Sequence, residues 1–129
     1  MDFRRSTLTE LASEVRAGKV AARELTAHAL ERIEALNPSV RAFVAIDGDR
    51  AMERAARIDE DVAAGRDPGP LAGIPIGVKD LDDAEGFVTS HGSAAFAGGP
   101  PAPADSPLVA RLKAAGCVVV GKTNTPELG

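Results

Sequence analysis

The sequence predicts an α/β fold, and three observations predict it. Two short apolar runs, 74–78 and 117–120, are rich in β-branched residues and bounded by glycine, which reads as strands buried on both faces. Between them Ser106-Pro107 writes a helix start and Gly116 a helix stop. Strand, helix 107–115 and strand then form a βαβ candidate, with parallel strands and a right-handed crossover. The residues before 65 alternate helical spacing with one strand pattern, as an α/β chain requires.

In order, Thr7 and Glu10 form a T-x-x-E capping box ahead of Leu8, Leu11 and Val15, and Gly18 closes that helix. A second helix covers about 22–36 with the stripe Leu25, Ala29, Ile33 and Leu36, and Asn37-Pro38 ends it. His28 lies beside the stripe; without a second ligand one turn away it reads as a half-buried surface residue, not a metal ligand. Residues 40–46 form a strand with Val40, Ala42, Val44 and Ile46 on one face and Arg41, Phe43 and Ala45 on the other. Asp47-Gly48-Asp49 turns the chain, and Asp49 is the expected cap of a third helix, 50–64. Its mixed charges make a solvated face, and Ala with Met52, Ile58 and Val62 makes a shallow core contact.

Residues 65–70 are a turn-rich connector. The acids at 82, 83 and 85 lack the spacing of a calcium loop and read as a solvated turn. Residues 87–103 are irregular, and a long irregular segment in a compact domain is usually functional or disordered. Ser90 beside His91 is no catalytic pair, since triads assemble across a fold. Gly121-Lys122-Thr123-Asn124 is read as the loop after the second strand, and Thr125-Pro126 as the start of another helix.

Composition excludes several classes. The 129 residues are 44% hydrophobic and 26% charged with net charge −4, an ordinary balance for one modest soluble domain without a basic footprint for nucleic acid. Aromatics are 3%, with no Trp or Tyr, so base-stacking platforms are not expected. The single Cys117 excludes an intrachain disulfide and, within an apolar run, reads as a buried structural thiol. With two distant histidines and one cysteine no metal site is expected. The start Met1-Asp2-Phe3-Arg4-Arg5 has no apolar signal core, and no run approaches the roughly 18 apolar residues of a membrane span, so the expected setting is cytoplasmic.

The stretch Leu71-Ala72-Gly73-Ile74-Pro75-Ile76-Gly77-Val78-Lys79-Asp80 organises the rest. Gly73 and Gly77 leave room for another backbone or a ligand, and Pro75 suggests an edge position. The run ends on a lone cation, Lys79. In the plainer reading Lys79 emerges into solvent, with Asp80 available as its partner, because lysine is rarely buried. In the sharper one it is desolvated, with its ammonium in a depression, and poised as a base.

Gly73-Ile74-Pro75-Ile76-Gly77-Val78-Lys79-Asp80, Thr89-Ser90-His91-Gly92-Ser93, Asp105 with Val109-Ala110-Arg111-Leu112-Lys113-Ala114-Ala115-Gly116, and Gly121-Lys122-Thr123-Asn124 with Glu127 stand in the order and spacing of the amidase signature family. The chain resembles that family from about residue 24 to 129. The resemblance implies the N-terminal part of an α/β/α sandwich around a large mixed sheet, and hydrolysis of a carboxamide C–N bond. In that family a serine attacks the amide, a second serine on a cis peptide relays the proton, and a lysine receives it; Lys79 matches the lysine. The implied substrate is a small-molecule amide, with no cofactor, no metal and no membrane, no nucleic acid for a plain amidase, and room for a homo-oligomer.

The family's Gly/Ser-rich segment, which carries both serines, follows the Glu127-Leu128 block and is absent from the sequence. Residues 1–129 are therefore expected to be a partial amidase domain, truncated at the C-terminus and inactive alone. Ser90 and Ser93 match a different block and are not carried over. The alternatives are part of the amide-hydrolysing component of an aminoacyl-tRNA amidotransferase, or a non-catalytic remnant acting as a binding partner.

Overall fold

The computed structural model describes residues 5–129, so the charged start read at 1–4 lies outside the described residues. The element order is α1 (Leu8–Arg16), α2 (Ala22–Val40), β1 (Phe43–Ile46), α3 (Gly48–Ala63), β2 (Pro75–Lys79), α4 (Ala94–Ala97), α5 (Pro107–Ala114) and β3 (Val118–Thr123). The strands form one mixed sheet in the order β1-β3-β2, with β3 antiparallel to β1 and parallel to β2. The parallel pair read from the two apolar runs is thus present, and Pro75 opens an edge strand, where its missing N–H costs no ladder bond.

Side chains alternate across β3 and divide the interior in two. Val118 and Val120 pack with Leu11 and Val15 of α1, Leu25 of α2 and Ile58 of α3. Val119 packs with the other cluster, which holds Val78, Ala84, Phe87 and Val109 of α5. Helices therefore cover both sides of the sheet, an α/β/α arrangement. Cys117 is buried, and burial pushes its thiol up against the opposing Arg54 charge, as suits a structural cysteine.

Local chemistry explains the helix ends. The Thr7–Glu10 capping box is formed. Ser106 accepts from the Val109 N–H at 3.3 Å, with Pro107 in the first turn. α2 has Ala21 at its N-cap, which offers no side-chain acceptor. Asp59 of α3 supplies one instead, accepting from the Ala22 N–H at 2.6 Å and the Arg23 N–H at 3.2 Å. This long-range cap satisfies donors that would otherwise be orphaned.

Several expectations are corrected. α2 runs through Pro38 to Val40 instead of stopping at Asn37, and Arg41 closes it in the left-handed region, with φ 49°. The Asn37 side chain accepts from the Phe43 N–H at 2.8 Å and donates to the Phe43 carbonyl at 3.0 Å, tying the helix end to β1. That strand consequently begins at Phe43, not Val40. The cap of α3 is Asp47, which accepts from Arg50 N–H at 3.1 Å, and not Asp49. On α5 Val109 is buried while Leu108 is 54% exposed. The chain after Thr125-Pro126 makes a turn rather than a helix: Leu128 has φ 56° and donates its N–H to the His91 carbonyl at 2.7 Å. Among the described residues no helix is long and apolar enough to cross a membrane.

Candidate functional site

The carboxyl ends of β2 and β3 lie side by side, with Val78 opposite Lys122 and Lys79 opposite Thr123. In open α/β sheets ligands bind at this end of the strands. Gly77 permits the close approach: a Cβ there would stand 2.5 Å from Thr123 Cγ2 and 3.1 Å from the Phe43 ring. Lys79, two residues on, shares the face of Gly77.

Lys79 is exposed, which corrects the expectation of a desolvated ammonium in a depression. The cause is its strand. β3 is the only neighbour of β2 among the described residues, and Lys79 occupies the face on which Gly77 carries no side chain to shield it.

The buried cation at this end of the sheet is instead Lys122, whose side chain is 0% exposed. The local pattern places it in a loop, but β3 continues through Gly121 and Lys122 to Thr123. Gly121 makes this continuation possible, because any Cβ there would collide with the Ala45 carbonyl of β1. Lys122 Nζ lies 3.1 Å from Asp80 Oδ1 and donates to Thr89 Oγ1 at 2.9 Å. Asp80 is thus paired with Lys122 and not with Lys79.

Asp80 is held from every side. Ser90 donates to it twice, from its backbone N–H at 3.1 Å to Oδ1 and from its hydroxyl to Oδ2. The Asp80 N–H donates to the Thr123 carbonyl at 2.9 Å, and the His91 N–H donates to the Asp80 carbonyl at 3.0 Å. Burial alone would raise the carboxyl, but the hydrogen bonds from Ser90 and Lys122, with the Lys122 charge, together hold it below its usual value. Thr89 extends the network by donating to Asp83 Oδ1 at 2.7 Å.

The 89–93 loop is pinned on its other side as well. His91 adopts φ 53° and Gly92 φ 65°, and a Cβ on Gly92 would stand 2.7 Å from the Thr125 carbonyl. Ser93 donates to Glu127 Oε1 at 3.0 Å. Ser90 and Ser93 are therefore occupied in holding segments together. One signal in the sequence could have revealed Lys122: a lysine two residues after an apolar run, with an aspartate at the end of the parallel run.

A separate cleft of about 530 Å³ lies between α3 and α5. Basic residues of α3 and Lys113 face Glu53, Glu85 and Asp105 there, so its charges nearly balance, and neither Lys79 nor Lys122 lines it. Among the described residues no group of three or more His, Cys, Asp or Glu side chains is arranged to hold a metal ion.

The amidase family model matches residues 24–129. The A-type component of the glutamyl-tRNA(Gln) amidotransferase of Acidothermus cellulolyticus is 41% identical over 126 residues, and that of Salinispora arenicola 43%. Each match covers 98% of this chain but only 25% and 26%, respectively, of the relative. The crystal structure of native peptide amidase from Stenotrophomonas maltophilia superposes with a TM-score of 0.88 at 38% identity, covering 98% of this chain and 26% of that one. A protein from a vestigial complex bearing on the origins of an s-triazine catabolic enzyme superposes with a TM-score of 0.90 at 39% identity, covering 95% and 27%. The chain spans about a quarter of the length of the relatives it matches, and across that span it belongs to the amidase family, the amidase signature enzymes.

Proposed function

We propose that residues 1–129 contribute the general base of an amide-hydrolysing site, with Lys79 as that base. The observation that carries this reading is the place of Lys79, the last residue of β2 beside the parallel strand β3, inside the span matched by the amidase family. In this reading a serine supplied by chain beyond these residues attacks the carboxamide carbon. Its proton passes through a second serine to the Lys79 amine. The C–N bond breaks, the leaving nitrogen takes a proton, and water releases the acid from the serine ester. A lysine accepts a proton only as the neutral amine, so the exposed face at Lys79 must be covered in the active protein, where desolvation favours that form.

The substrate in this reading is a small-molecule amide handled without a cofactor, and the setting is cytoplasmic. The test is ammonia release from simple amides by these residues continued through the downstream reading frame. Lys79→Ala should lower kcat about 10⁴-fold, by analogy with loss of one member of a serine-protease triad. Unchanged release in that variant would remove the reading.

A second reading makes the chain part of the amide-hydrolysing component of an aminoacyl-tRNA amidotransferase. It is favoured by the relatives at 41% and 43% identity, which bear the name of such a component. Ammonia release from glutamine that rises with partner proteins and aminoacyl-tRNA supports it. Release from peptide amides by the protein alone supports the stand-alone amidase. A downstream frame without a Gly/Ser-rich run leaves the non-catalytic binding partner.

A further inference from the structure

We infer that Asp80, Lys122 and Ser90 are positioning residues for Lys79, a role that rests on the reading of Lys79 as the base. The buried pair costs desolvation on both partners, and such pairs are weak evidence for stability as such. What this pair does geometrically is specific. Asp80 directly follows Lys79, and Lys122 directly precedes Thr123, the register partner of Lys79. The ion pair at 3.1 Å and the Asp80 N–H to Thr123 carbonyl bond at 2.9 Å therefore clamp the two strand ends on either side of Lys79. Lys122 and Asp80 are engaged within the protein, while the Lys79 side chain leaves by the opposite face and stays available. Thr89 and Ser90 bring the 89–93 loop into the same clamp. That loop in turn accepts the Leu128 N–H at the His91 carbonyl and reaches Glu127 through Ser93. One buried network thus fixes the backbone at Lys79 and the course of the chain at 127–128. A base displaced by about 1 Å from its partner loses about 100-fold in rate, so a clamp at this point acts on turnover.

The experiment compares Asp80→Asn, Lys122→Met, the double variant and Ser90→Ala in these residues continued through the downstream reading frame, reading Tm, kcat and KM for amide hydrolysis. Each single change at the pair leaves a buried group without its partner and should lower Tm. The double variant removes both charges and should regain Tm, yet its kcat should stay about 10- to 100-fold low with KM within about twofold. Ser90→Ala keeps the pair and removes one hydroxyl bond to Asp80; its kcat should fall about tenfold at unchanged KM, and Ser90→Thr should restore it. If kcat returns with Tm in the double variant, or if Ser90→Ala turns over normally, the network is structural only and the inference is wrong. Lys79→Ala separates the two ideas: normal turnover there removes the functional reading itself, while lost turnover there with kcat tracking Tm across the other variants removes only the positioning role.

Discussion

A full positive charge at Lys122, 0% exposed, is tolerable only because its ammonium is met by Asp80 and Thr89. Removing one member strands the other in a medium where charge is poorly solvated. Lys122→Met should therefore destabilise the fold by about 3–5 kcal/mol, read from urea unfolding, while Asp80→Asn combined with Lys122→Met should recover most of that loss. The same carboxylate sets a pH dependence. The folded Asp80 carboxyl lies below its usual 3.8, and Asp105 is shifted the same way, because burial is outweighed by the Lys113 hydrogen bond, the Glu85 N–H and the nearby Lys113 and Arg50 charges. In both cases the unfolded chain takes up protons first as pH falls. Their contribution is complete above the unfolded value of 3.8 and is lost as pH drops through the lower folded values. The urea midpoint should hold from neutrality to about pH 5 and then decline below about pH 4, more shallowly in Asp80→Asn. A midpoint that rises on acidification would contradict this.

Among the elements, α2 depends on a neighbour for its start. Ala21 offers no cap, and the carboxylate of Asp59 meets the N–H groups of Ala22 and Arg23 where the helix end is partially positive. Asp59→Ala should cost about 1–2 kcal/mol in urea unfolding, as losing a cap does, although Asp59 belongs to another helix. Elements whose limits are written locally were legible in the sequence: the Thr7–Glu10 box, the Ser106-Pro107 start, the Gly116 stop and the two apolar runs that pair as β2 and β3. Features set by distant partners were not. Pro38 signals a stop by local rules, yet the helix continues while Asn37 ties its end to β1. Lys122 reads as loop because a charge normally ends an apolar run; its burial depends on parallel register, which brings Asp80 beside it from a distant part of the chain. Lys79 is legible through its motif, while its exposure reflects the sheet edge on which β2 lies.

At the scale of the whole molecule, residues 1–129 present a three-strand sheet with two outer strands. β1 shows Val44 and Ile46 51% and 46% exposed, and Leu128 is 68% exposed. Open strand edges beside apolar side chains invite pairing with other chains. The serine hydroxyls around the candidate site are also engaged: Ser90 with Asp80, Ser93 with Glu127, and Ser106 as the cap of α5. A general base without a nucleophile has nothing to activate, and amide hydrolysis further needs donors placed for the oxyanion. Residues 1–129 expressed by themselves should consequently release no ammonia from simple amides above the buffer rate, and on size-exclusion chromatography they should elute as concentration-dependent assemblies. The same residues continued through the downstream frame should elute as a discrete species and release ammonia. Turnover by residues 1–129 alone that disappears in Lys79→Ala would mean that a nucleophile lies within this span, and that the serines need not come from chain beyond it.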